Sequence, residues 1–206
     1  EQVIFQIGIT AFLILVAYYG TEAYAAYGIG VQILSFSFVI GFGFSIAGAT
    51  LVGQHLGAKN KNQAKRAGWG AMRLSIVSMT FFGVIIATFA EPLARFMIDN
   101  DEVVRLTVIF IWLLGSMQPL MAIEFSLGGA LRGAGDTKTP LAITLTCLLF
   151  IRVFLAVIFF LLDASIEIIF STLLADYIVK GFLYVSRFRS DKWMNVLKIK
   201  EVDQQP

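Results

Sequence analysis

The chain has 206 residues, 58% hydrophobic and 15% charged, with a mean hydropathy of +0.80 and a formal net charge of +2. Soluble domains carry about 25% charged and about 45–50% apolar residues, so this composition excludes a water-soluble globule and, for the same reason, a disordered chain. The basic residues form no solvated domain, which excludes nucleic acid as a partner, and one cysteine (Cys147) with one histidine makes neither an intrachain disulfide nor a zinc site.

The expectation is an all-α integral membrane protein. A crossing helix needs about 20 apolar residues, and a bundle of six transmembrane helices with short loops uses most of the chain. The sequence opens at Glu1 without a Met or a basic n-region and enters an apolar run at once. It therefore reads as a chain cut inside or just before a membrane helix, not as a signal peptide. The first span covers 3–19 and ends in a turn at Gly20, Thr21 and Glu22. The second, 23–56, exceeds what a bilayer needs, and its glycines permit bending and close helix contact. A polar stretch (57–66) leads to the third span, 67–90, and residues 91–102 read as an acidic loop. The fourth span, 103–131, contains Pro119, which removes a backbone hydrogen bond and predicts a kink. A tight polar loop, 132–140, precedes the fifth span (141–162) and the sixth (166–186). Residues 187–206 form a basic tail with an interfacial helix expected at 193–199.

The charges orient this array. Lys59, Lys61, Lys65, Arg66 and Arg73 follow the second span, Arg132 and Lys138 follow the fourth, and the remaining basic residues of this face run from Lys180 through Lys200. Of the 16 Lys and Arg, only Arg95, Arg105 and Arg152 lie elsewhere. The opposite face carries Glu22, Glu91, Asp99, Asp101, Glu102, Asp163 and Glu167. The positive-inside rule places both termini of this segment in the cytoplasm, and the short loops fit a bacterial cytoplasmic (inner) membrane.

Two segments carry a resemblance. Leu51-Val52-Gly53-Gln54-His55-Leu56-Gly57-Ala58 precedes a short basic loop, and Gly129-Ala130-Leu131-Arg132-Gly133-Ala134-Gly135-Asp136-Thr137 follows the fourth span. With Gly20-Thr21-Glu22-Ala23 and Ala25-Ala26-Tyr27, they resemble the carboxy-terminal half of the multidrug and toxic compound extrusion (MATE) transporters over roughly residues 1–186. The resemblance implies one six-helix lobe of a two-lobe, twelve-helix secondary antiporter. Such a protein is not an enzyme and has no cofactor. It exports small organic cations or drugs in exchange for Na+ or H+, and its partners are the missing amino-terminal lobe and membrane lipid. Two positions depart from the family pattern: His55 stands where Asn or Ser is more usual, and Met121 where some branches place a carboxylate.

Ionisable groups inside a membrane are expensive and mark cavities or partners. Glu1 falls where many family members have an acidic residue, so the resemblance makes it the first candidate for proton or cation coupling. It lies about 28 Å along a helix from Gly20, which also fits an ordinary interfacial Glu. Asp176 is the second candidate. Arg152 lies about 18 Å and Asp176 about 16 Å from the cytoplasmic end, so the two match in depth and can form a structural ion pair. Lys180, one turn from Asp176, is an alternative partner. Glu124, near Pro119, can line a cavity or pair with Lys180. Phe36, Phe38, Phe42 and Phe44 cannot all share one helix face. Phe36 and Phe42 are the candidates for substrate contact, because aromatic faces attract organic cations. The only metal expected is a Na+ at such a carboxylate. Gln54 and His55 are expected to satisfy the end of the second helix, and Asp136 or Thr137 to cap the fifth, with Pro140 in its first turn.

Two other functions compete. A lipid-precursor flippase of the same superfamily would handle anionic head groups and needs several deep cations, where the sequence offers Arg152. An intramembrane aspartyl protease is suggested by Gly133-Ala134-Gly135-Asp136. It would need a second aspartate preceded by Tyr, whereas Asp176 is followed by Tyr177.

Overall fold

In the computed structural model, which describes residues 2–196, every regular element is a helix. The first element, α1 (Gln2–Ala17), turns through Gly20 into α2 (Thr21–Gly57), so the expected turn residues Thr21 and Glu22 are already helical. A second turn leads to α3 (Lys61–Thr88) and then directly to a short helix, α4 (Ala90–Met97). Next come α5 (Asp101–Ser116), α6 (Gln118–Gly133) and α7 (Lys138–Thr146). A π-helical segment (Cys147–Val153) joins α7 to α8 (Phe154–Leu161), and α9 (Ile166–Arg189) ends in a 3-10 turn at Lys192–Asn195. Among the described residues, four helices are long and apolar enough to cross a membrane: α2, α3, the continuous Lys138–Leu161 and α9. The pair α5 and α6, bent by 54°, would make a fifth crossing, and α1 is a shorter apolar helix. Glu1 and residues 197–199 of the expected 193–199 interfacial helix lie outside the described residues, and the described start of that stretch is the 3-10 turn.

Local chemistry sets the boundaries. Asn60 caps α3 by accepting from the Gln63 amide at 3.1 Å, and Asn100 caps α5 by accepting from the amides of Glu102 (3.0 Å) and Val103 (3.1 Å). The end of α2 is closed by backbone donors, contrary to the expected side-chain caps. Asn60 N–H donates to the His55 carbonyl at 2.8 Å and Lys59 N–H to Leu56 at 2.9 Å, with Lys59 left-handed at φ 56°. The expected acidic loop after α3 is corrected to a helix at its start. Glu91 and Arg95 are one turn apart and pair at 2.9 Å, while Ala90 and Ala94 are buried beneath them. The expected kink at Pro119 is present as a break between α5 and α6, with Met117 between them and Pro119 in the first turn of α6.

The packing centres on α2 against α6. Gly129 and Gly133, one turn apart on α6, press on the backbone of Ser45 and Ala49 of α2, and Gly53 faces the Gly133 carbonyl. Side chains there would hold the helices apart, and small residues allow backbone approach. Two apolar clusters form. The first gathers Phe12, Tyr27, Phe110, Phe170 and Met121, with Tyr27 and Phe170 flanking Phe110 at ring distances of 5.1 and 5.0 Å. The second gathers Val52, Leu127, Leu131, Cys147, Tyr184, Phe188 and Trp193 at the end of the bundle that carries the α2–α3 turn.

Candidate functional site

Between these clusters lies a band of buried charge. Along α6 the order is Met121 in the first cluster, Glu124, then Leu127 in the second. Along α9 it is Leu173, then Asp176 and Lys180, then Tyr184. From the π segment into α8 it is Cys147, Arg152, Ala156. Arg152, Asp176 and Lys180 are 5%, 0% and 1% exposed, and the Glu124 side chain 20%. The three elements thus bring four ionisable groups to one level, away from the bundle's ends.

The contacts form a chain. Arg152 Nη2 lies 2.6 Å from Asp176 Oδ2, Lys180 Nζ lies 3.3 Å from the same oxygen, and Lys180 Nζ reaches Glu124 Oε1 at 3.4 Å. All the partnerships that the sequence left open for Asp176 and Glu124 therefore occur together. Two cations and two anions sum to zero formal charge, which offsets the cost of removing each from water. Tyr177 adds a feature that the search for ionisable groups missed. The Arg152 guanidinium carbon and the Lys180 ammonium lie 5.5 and 5.3 Å from the centre of its ring, so one aromatic ring serves both cations. The signal was its place between Asp176 and Lys180 in the sequence.

The ion chain is close but poorly aligned. Arg152 Nε and Nη2 and both Asp176 oxygens lack a partner in hydrogen-bond geometry. Asp176 therefore sits between two positive charges while keeping unused acceptor capacity. The π segment matters here, because it changes the helical phase within Lys138–Leu161 and carries Arg152 in its last turn.

A second polar pair lies nearby in the core. Ser37 Oγ donates to Gln118 Oε1 at 2.7 Å, both residues being fully buried, while Gln118 Nε2 lacks a partner. Its signal was a Gln beside Pro119 within a span.

The aromatic candidates separate. Phe36 and Phe42 lie on an uncovered face of α2, 74% and 54% exposed. Phe42 meets Phe125 edge-on at 5.0 Å, and Phe125 is the neighbour of Glu124 in sequence. Phe38 turns inward and packs against Phe125 at 6.4 Å. Among the described residues, no three His, Cys, Asp or Glu side chains cluster to hold a metal. Asp136 is engaged in architecture. Its Oδ1 accepts from Thr139 Oγ1 at 2.8 Å and its Oδ2 from Arg187 Nη2 at 2.6 Å.

A bundle of apolar helices long enough to cross a membrane, with a neutralised charge band between two apolar clusters, is the architecture of a polytopic membrane protein. The chain belongs to the MatE family, whose model matches residues 1–158. A protein described as probable multidrug resistance protein NorM from Thermotoga maritima is 34% identical over 202 residues, covering 94% of this chain and 42% of that protein. A NorM of the same description from Mannheimia succiniciproducens is 31% identical over 128 residues, 62% of this chain and 28% of that one. The fold matches the MATE transporter ClbM, solved in complex with Rb+, at a TM-score of 0.86 and 20% identity, covering 94% of this chain and 46% of that one. It also matches a MOP superfamily transporter from Pyrococcus furiosus at a TM-score of 0.84 and 18% identity, covering 93% and 42%. The chain spans less than half the length of these relatives. The expected family and the all-helical, membrane-embedded fold are borne out, with four to five crossings among the described residues.

Proposed function

We propose that this chain is the carboxy-terminal lobe of a cation-coupled antiporter that exports small organic cations across a bacterial inner membrane, with both ends of the segment cytoplasmic. The observation that carries this reading is the buried chain Arg152–Asp176–Lys180–Glu124, in which Asp176 Oδ2 is shared by two cations and Oδ1 has no hydrogen-bond partner. Asp176 faces two cations and acts as their fixed counter-ion. Glu124 faces one cation and is the more exposed carboxylate, so it is the group that exchanges. A proton arriving at Glu124 removes its attraction for Lys180, and Lys180 then leans wholly on Asp176. That changes the contact between α6 and α9 and biases the lobe toward one of two states. A ligand shifts such a balance only by its difference in affinity between the states. A proton suits this site better than Na+, because it needs one oxygen, whereas a hard cation takes several.

An organic cation enters from the side of Phe42 and Phe125, whose faces attract positive charge. The zero formal charge of the quartet supports a cationic or neutral substrate over the anionic head groups of a lipid precursor, even though Lys180 now joins Arg152 as a deep cation.

The test is ethidium efflux from cells carrying the full-length parent, with proton and sodium gradients collapsed separately. The expected result is efflux that stops with the proton gradient and is lost in Glu124→Gln at unchanged protein level. Loss in Glu1→Gln, with Glu124→Gln fully active, moves the coupling to Glu1. Absence of efflux for several organic cations overturns the antiporter reading in favour of the flippase.

A further inference from the structure

At the end of the bundle that holds the α2–α3 turn, a groove of about 810 Å³ opens between α3 and α9. Asn62, Lys65, Arg66, Trp69 and Arg73 line it from α3, and Val185 and Arg189 from α9. Positions 62, 66, 69 and 73 recur every three or four residues, so they stack on one helix face. Lys65 is already paired with Asp191 at 2.7 Å. Arg66, Arg73 and Arg189 are exposed and have no acidic partner among the described residues. Three like charges on one groove repel each other unless an anion lies among them.

Behind Trp69 the packing is aromatic. Gly68 leaves room for Phe188, whose ring would collide with any Cβ at that position. Phe188 stacks on Trp193 at 4.6 Å and meets Trp69 edge-on at 5.2 Å. Tryptophan concentrates at membrane–water boundaries. The 28 residues of α3 rise about 42 Å, about 12 Å more than the hydrocarbon core. The excess lets Arg66 stand among head groups while Trp69 and Val185 face the start of the acyl region, and Arg73, one turn deeper on α3, reaches back toward the head groups on its long side chain. With Arg66 and Arg189 at its mouth, Trp69 and Val185 as its apolar wall and Arg73 reaching back from one turn below, the groove matches a molecule with an anionic head and a hydrocarbon tail.

We propose that this groove binds an anionic phospholipid of the cytoplasmic leaflet, its phosphate held by Arg66, Arg73 and Arg189 and its chain lying along Trp69 and Val185. The inference uses the cytoplasmic placement of this end and is independent of the coupling ion and of the exported substrate. Basic pockets between helices on the cytoplasmic side are suited to such head groups. Each arginine near the surface is expected to change lipid affinity about fivefold, so a pair accounts for about 25-fold.

The test is native mass spectrometry of the purified full-length parent in detergent with phosphatidylglycerol, with phosphatidylcholine, and with phosphatidylglycerol in the presence of inorganic phosphate. The expected result is preferential retention of phosphatidylglycerol that inorganic phosphate does not displace. Arg66→Gln/Arg73→Gln is expected to weaken it about 25-fold. Lys59→Gln/Lys138→Gln removes the same charge outside the groove and should leave retention unchanged. If the groove pair does not accumulate, the single variant Arg73→Gln should show about a fivefold loss. Equal retention by the groove variants and the wild type overturns the proposal. So does an equal loss in the Lys59 and Lys138 pair, which would mark a net-charge effect, and so does displacement by inorganic phosphate, which would mark a free-anion site.

Discussion

Gly133 of α6 lies so close to Ala49 of α2 that a Cβ at position 133 would fall on the Ala49 carbonyl oxygen and its carbon. The same crossing places Gly129 on the Ser45 backbone and Gly53 against the Gly133 carbonyl. The two sequence segments that carried the family resemblance therefore meet where Gly53 faces Gly133. Backbone cannot move aside as a flexible side chain can, so overpacking here is felt in full. Gly133→Ala is expected to cost about 1–3 kcal/mol and lower the thermal unfolding midpoint of the detergent-solubilised parent. Gly43 on α2 meets nothing within 4 Å. Gly43→Ala should therefore be neutral or stabilising, by up to about 1 kcal/mol of helix propensity. Equal effects at the two positions would show that the crossing is looser than this geometry.

Asp176 holds Arg152 and Lys180 through one oxygen. Asp176→Asn leaves two buried cations with one remaining carboxylate, Glu124, in contact with Lys180 alone. Removing one partner of a buried pair costs about 3–5 kcal/mol, so Asp176→Asn and Arg152→Met should each reduce folded yield and thermal stability sharply. In Arg152→Met/Asp176→Leu the remaining cation, Lys180, keeps Glu124, and most of the loss should be recovered. A double variant as unstable as the sum of the singles would mean that the two residues do not act as a pair.

The crossing helices were legible in sequence because burial in lipid demands long apolar runs, with Pro119 marking a kink within the fourth span and Gly133 and Asp136 the loop that follows it. The α4 helix was not legible. Its eight residues are polar enough to read as loop, and its stability comes from the Glu91–Arg95 pair and from burying Ala90 and Ala94. The charge band was legible as residues and depths: Arg152, Asp176, Lys180 and Glu124 were each found as ionisable groups in apolar runs. Their assembly into one chain was not, because the π segment alters the facing of Arg152 and no spacing rule for a regular helix predicts that phase. Tyr177 and the Ser37–Gln118 pair escaped a search confined to charge.

The Ser37–Gln118 bond joins α2 to the first turn of α6 inside the core. Ser37→Ala would strand the Gln118 carbonyl oxygen beside an amide nitrogen that already lacks a partner. Leaving a buried acceptor unsatisfied costs about 1–3 kcal/mol. Ser37→Thr keeps the hydroxyl and should retain most of the stability. Thermal unfolding of the two variants side by side checks this, and equal midpoints would remove the hydrogen bond from the account.

Asp136 anchors the loop between α6 and α7 with both oxygens. Oδ1 takes the Thr139 hydroxyl and, at 3.3 Å, its amide in the first turn of α7, and Oδ2 takes Arg187 Nε and Nη2 at 2.8 and 2.6 Å from the end of α9. The carboxylate is 4% exposed and Arg187 25%, so water weakens the pair less than at an open surface. Asp136→Asn keeps an acceptor for Thr139 and loses the charge. It should cost about 1.5–3 kcal/mol, the range for hydrogen bonds to charged groups. Asp136→Ala should cost more, because Thr139 is then also left without its acceptor. Hydrogen exchange reports the difference by position. In Asp136→Asn the increase should be confined to residues near Arg187, and in Asp136→Ala it should extend into the first turn of α7. Matching exchange profiles for the two variants would mean that Thr139 draws nothing from this contact and that the Arg187 pair alone holds the loop.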